Sequence, residues 1–124
     1  MKTIVLQDSD RIVLSALNQE LTSAGYKVHT TYLLDQRVLE LIANAEPHVV
    51  IIDQKIDFKD AIHICHLVKA FYPNLPVIAS NCNTNIRKSF ITKGFDYQLN
   101  KPSDLNLLYK LIRKFIPLVT NSKT

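Results

Sequence analysis

Glycine is nearly missing from this chain of 124 residues: only Gly25 and Gly94 occur, each just after an apolar or helical stretch. With both at helix ends, no glycine-rich loop remains to cradle a nucleotide or flavin phosphate, which argues against a flavin carrier. Cysteine is equally scarce. Cys65 and Cys82, in a sequence without a recognisable signal peptide, suggest a reduced, cytoplasmic setting and suit small core residues better than ligands or nucleophiles. No apolar run approaches the ~18 residues of a membrane span, so no membrane contact is expected. Charge of one sign is also lacking. The net charge is +4, and the basic residues cluster only at Arg87-Lys88 and Arg113-Lys114, a weak basis for direct nucleic-acid binding. Arg87 and Lys88 are most simply a solvated helix face. There are no internal repeats, linkers or low-complexity segments. What is present, 47% hydrophobic and 21% charged residues, is a globular composition for one domain, placed at 1–118 with a polar tail at 119–124.

Alternating segments organise that domain. Thr3 to Leu6 forms a short apolar strand that runs into Gln7-Asp8-Ser9-Asp10, of which the last three can each cap the next helix. That helix carries Ile12, Val13, Ala16, Leu17 and Leu21 at helical spacing, and Gly25 stops it. Lys27 to Thr31 has strand character. Asp35 opens a second helix, and Pro47 leads into the next strand. A polar loop at 54–59 precedes a third helix over about 60–71. Val77-Ile78-Ala79 is a short buried strand, followed by a polar helix near 84–93 that ends at Gly94. Tyr97 to Asn100 is a weak strand; Ser103 caps a last helix, which Pro117 ends. His63 and His66 flank Cys65 on the third helix, but without a fourth partner they are ordinary helix residues. Strands alternating with helices predict an α/β fold, a doubly wound parallel sheet.

The segment His48-Val49-Val50-Ile51-Ile52-Asp53 is the centre of that sheet. Its β-branched run does not alternate, so both faces are buried, and it stops at a carboxylate. Open α/β sheets hold their ligands in the crevice beyond the carboxyl ends of the strands. Asp8, Ser9, Asp10, Asp53 and Lys101 all follow strand ends and converge there. Clustered carboxylates beside an amine suit a hard divalent cation and an incoming phosphoryl group, with an Asp as nucleophile.

In that order the motifs resemble the receiver domain of two-component response regulators over residues 2 to 116. An acidic pocket follows the first strand, and Gly25-Tyr26 closes the first helix. An apolar strand ends in Asp53, Pro76-Val77-Ile78 opens the fourth strand, and Gly94 precedes Lys101-Pro102. The resemblance implies a flavodoxin-like, five-stranded parallel sheet of order 2-1-3-4-5 with helices on both faces. It implies Asp53 as phosphoacceptor, Asp8 as a metal-site residue, Lys101 as the conserved-type lysine, and the Lys55 backbone carbonyl as a metal ligand. It also implies Mg²⁺, and a histidine kinase or phosphotransfer protein as phosphodonor.

Several positions depart from the pattern. Ser9 stands where the direct acidic metal ligand is usual, which weakens Mg²⁺ binding. Asp10 could compensate but suits helix capping better. Asn81 and Gln98 replace the usual hydroxyl and aromatic switch residues; Ser80 and Tyr97 lie one position early. Asp57-Phe58 replaces Pro-Gly, and the Lys55 ammonium could fold into the depleted pocket or remain solvated. Two functions follow: a phosphoacceptor receiver, or a phosphorylation-independent module that binds a protein partner or a second copy through the face between its fourth and fifth helices. Catalysis on an external substrate is disfavoured, since an aspartyl phosphatase usually carries a second Asp where Lys55 stands.

Overall fold

Parallel strands whose two faces are both covered run mostly apolar, and β1 (Thr3–Gln7), β3 (Val49–Asp53) and β4 (Val77–Ser80) are buried throughout, with polar residues only at their ends. The computed structural model describes residues 2–53, 58–80, 94–99 and 104–116, with Phe58 and Lys59 described by backbone alone. β2 (Lys27–Thr31) and β5 (Tyr97–Leu99) complete a five-stranded sheet of order β2-β1-β3-β4-β5. Every pairing is parallel. The helices are α1 (Arg11–Ser23), α2 (Gln36–Ala45), α3 (Phe58–Phe71) and α4 (Leu105–Phe115), the last being the expected fifth helix.

The period of two along β3 divides the core into two layers. Val49 and Ile51 pack with Leu14, Leu17 and Leu21 of α1 and with Leu108, Leu111 and Ile112 of α4. Val50 and Ile52 pack with Val38 and Ile42 of α2 and with Ile64 and Val68 of α3. Helices therefore cover both faces, as expected. Each fully buried Leu or Ile contributes about 1.5–3 kcal/mol relative to exposure. Gly25 closes α1 as expected: at φ +99 its N–H donates to the Thr22 carbonyl, while the Tyr26 N–H reaches back to Leu21.

The element boundaries needed correction at β1, which runs on through Gln7, and in three further places. β4 extends through Ser80, and α3 begins at Phe58 rather than Asp60. Asp60 sits in the first turn, where the helix dipole favours a carboxylate, and so resembled a start. The cap of α4 is Asp104, not Ser103, and its carboxylate accepts from the Leu107 N–H at 3.2 Å. The helix expected near 84–93, with Arg87 and Lys88, lies outside the described residues, as does Cys82. Among the described residues no helix is long and apolar enough to cross a membrane.

At the amino-terminal end of the sheet, side chains finish the backbone pairing. The Thr3 N–H donates to His48 Nδ1 at 3.1 Å, and the His48 N–H donates to the Thr3 carbonyl at 2.8 Å. The Val77 N–H donates to Asp96 Oδ2 at 2.8 Å, and the Lys69 ammonium meets the same oxygen at 2.8 Å. A cleft of about 660 Å³ opens at this end between Pro47, His48, Tyr72 and Pro76.

Candidate functional site

The opposite end, where β1 and β3 stop, collects buried polar side chains: Gln7 at 0%, Asp8 at 1%, Asp53 at 1% and Ser80 at 2% exposure. Carboxylates that deep require donors, and the corner between β1 and α1 supplies them. The Ser9 N–H donates to Asp53 Oδ2 at 3.2 Å, and the Asp10 N–H donates to Asp8 Oδ1 at 2.8 Å. Because these two amides are consecutive, the carboxylates of Asp8 and Asp53 are brought side by side. Bonds of this charge-assisted kind are the stronger class.

Asp10 points elsewhere. Its Oδ1 accepts from the Ile12 and Val13 N–H groups at 2.9 and 3.3 Å, which makes it the N-cap of α1. Gln98 is buried within β5, whereas Tyr97 is 37% exposed. The Tyr97 ring stands edge-on to Phe115 at 6.5 Å, with the Lys114 ammonium 4.8 Å above its centre. Lys55, Asn81, Lys101 and Pro102 lie outside the described residues.

Two features escaped the sequence reading. Gln7 is the last residue of β1, not the first of the polar group that follows. Its Oε1 accepts the Asp53 N–H at 3.0 Å and its Nε2 donates to the Tyr32 carbonyl at 3.3 Å. The signal that could have found it is length: β3 pairs with β1 as far as Gln7↔Ile52, so a strand of five was needed. Ser80 is the second. It stands directly opposite Asp53 in the β3–β4 register, and its Oγ is buried with no hydrogen-bond partner among the described residues.

Asp8 and Asp53 form an oxygen donor set that fits a hard divalent cation, which takes one or two carboxylates and completes its shell with water or phosphate oxygens. Among the described residues no group of three or more His, Cys, Asp or Glu side chains gathers for a metal. Burial, opposed by Lys69 and reinforced by Asp96, pushes the Cys65 thiol up to about 12, away from the thiolate form that a nucleophile uses.

The comparisons with known proteins agree with this geometry. Residues 4–113 match the family model described as response regulator receiver domain. Response regulator MprA of Mycobacterium sp. (strain KMS) is 27% identical over 115 residues, covering 91% of this chain and 50% of that protein. The chain thus spans about half the length of that relative. In fold it is similar to a two-component response regulator from Clostridium difficile (TM-score 0.83, 18% identity, 98% of this chain and 100% of that one). It is also similar to response regulator protein TrrA from Thermotoga maritima in complex with Mg²⁺ and beryllofluoride (TM-score 0.82, 17% identity, 93% and 99%). With the sheet order, the two-layer core and the match over nearly its whole length, the chain belongs to the response regulator receiver domain family of two-component signalling.

Proposed function

We propose that Asp53 is the phosphoacceptor, and that this domain receives a phosphoryl group from a histidine kinase or phosphotransfer protein. The observation that carries the reading is the buried Asp53 carboxylate, held by the Ser9 N–H beside Asp8 at the carboxyl end of the central strand. An Asp53 oxygen attacks phosphorus as the bond from phosphorus to the donor's leaving atom breaks, which leaves an acyl phosphate. Asp8 and Asp53 would hold Mg²⁺, which when bound neutralises charge on the transferring group. Ser9 in place of a second acid, and Asp10 engaged as a helix cap, make that site weaker than a three-carboxylate one.

Acetyl phosphate with Mg²⁺ tests the reading by intact mass. The expected result is one added phosphoryl group, absent from Asp53→Asn; an unmodified chain, or a modified Asp53→Asn chain, overturns it.

A second reading is favoured by the cluster of exposed Tyr97 and Lys114 with half-buried Phe115 at the β5–α4 face. There the domain would bind a protein partner, or a second copy, without phosphorylation. Association that persists in Asp53→Asn and is lost in Tyr97→Ala supports this alternative.

A further inference from the structure

We infer that Gln7 is a positioning residue, which sets the backbone of Asp53 and anchors Tyr32, so that a change in the Asp53 side chain's charge registers at the Arg11–Tyr32 pair at the edge of the sheet. Its importance to signalling rests on Asp53 being the phosphoacceptor; its geometry does not.

The cost of the residue is the first argument. An amide buried as completely as Gln7 is unfavourable unless its polar atoms are bonded, and an apolar side chain would serve a strand covered on both faces. Gln7 uses both ends of its amide. Oε1 receives the N–H of Asp53, the last residue of β3, and Nε2 gives to the carbonyl of Tyr32, just past the end of β2. The planar amide thus spans the crevice from β3 to β2 across β1.

The second argument is that the path closes on itself. The Tyr32 ring lies under the Arg11 guanidinium, 4.1 Å from its carbon to the ring centre. Arg11 is the first residue of α1, two positions after Ser9, whose N–H holds Asp53 Oδ2. Asp53 is therefore tied to one surface pair twice: by its backbone through Gln7 and Tyr32, and by its carboxylate through Ser9 and Arg11. Neutralising the carboxylate weakens the Ser9 bond while Gln7 keeps Tyr32 anchored. The Arg11–Tyr32 stack registers the difference. This route leaves β1 toward β2 and α1, on the opposite side of the sheet order from Gln98 in β5.

A double-substitution cycle separates coupling from mere bracing. Asp53→Asn is compared with the unaltered carboxylate in the presence of Gln7 and of Gln7→Met, by NMR of the Tyr32 ring protons and the Arg11 Nε–H. With Gln7 present, Asp53→Asn is expected to displace both signals, and with Gln7→Met the displacement is expected to fall by at least half. Equal displacement in both backgrounds, or none with Gln7 present, overturns the inference. Should Gln7→Met not fold, Gln7→Asn keeps a neutral amide but is one methylene too short to bridge the Asp53 N–H and the Tyr32 carbonyl, with the same reduction expected. Without any substitution, Gln7 side-chain protons that exchange as fast as an exposed amide would also overturn it. Beryllofluoride uptake with Mg²⁺ is measured alongside. Uptake without coupling rejects the role of Gln7 and keeps the phosphoacceptor; coupling without uptake does the reverse.

Discussion

At the amino-terminal end of the sheet, side chains serve the backbone: His48 accepts the Thr3 N–H, and Asp96 accepts the Val77 N–H with Lys69 on the same oxygen. At the carboxyl end the relation is reversed. There the backbone serves side chains, as the Ser9 and Asp10 N–H groups are given to the carboxylates of Asp53 and Asp8. One end completes the ladder, and the other gathers like charges that a fold selected for stability alone would keep apart. The 660 Å³ cleft lies at the first end, away from the buried carboxylates of Asp8 and Asp53.

Gln7 is the exception at the acidic end, since it serves backbone groups there, and removing it is the sharpest way to break the contrast. Gln7→Met keeps the volume but orphans the Asp53 N–H and the Tyr32 carbonyl. The expected loss is about 1–3 kcal/mol, most of it from the buried Asp53 N–H, since the carbonyl of the part-exposed Tyr32 can turn to water; it is read from urea unfolding. A loss below about 1 kcal/mol would mean that those bonds do not hold the crevice together. Asp96→Ala comes next. It orphans the Val77 N–H, whose residue is fully buried, for a loss of about 1–3 kcal/mol. Lys69→Met, which removes the ion pair but leaves that acceptor, should cost under about 1 kcal/mol beyond the bond to the Leu75 carbonyl. If Lys69→Met proved as costly as Asp96→Ala, charge would be holding this end, not completion of the ladder.

The two ends were not equally legible in the sequence. The sheet was legible because unbroken runs such as Val49 to Ile52 fit a strand buried on both faces, and Gly25 marks a helix end by backbone conformation alone. Asp8 and Asp53 were legible because a carboxylate just past such a run has a crevice to enter. Gln7 was not, because an amide after three apolar residues looks like the start of a loop until the partner strand's length is known. Ser80 was hidden for the same reason: whether it continues β4 opposite Asp53 depends on register. The amino-terminal network was equally invisible, since nothing local ties Lys69 to Asp96, 27 positions away.

Ser80 gives a smaller effect of opposite sign. Its hydroxyl is buried without a partner among the described residues, so Ser80→Ala is expected to raise stability by about 1 kcal/mol. A loss instead would show that the hydroxyl is bonded in solution, and the acidic end would then be less strained than the contrast requires.

Cys65 supplies the smallest effect, one with no consequence at neutral pH. It packs near Gly94 and feels Lys69 and Asp96, so it belongs to the amino-terminal end. Burial, the largest cause, raises its thiol from an ordinary 9.0 to about 12. Below pH 9 both folded and unfolded chains keep the proton, and the thiol adds no pH dependence. Between 9 and about 12 the unfolded chain releases it while the folded chain does not. The unfolded state then binds fewer protons, so stability falls as pH rises. Urea midpoints measured at about pH 8 and about pH 10.5 should therefore separate more for the unaltered chain than for Cys65→Ala. Hydrogen exchange at the higher pH should loosen Val77 and its neighbours before the amides of Ser9 and Asp10. Equal pH dependence in the two chains would mean that Cys65 is solvated, and that the end reserved for stability is less tightly closed than the end reserved for charge.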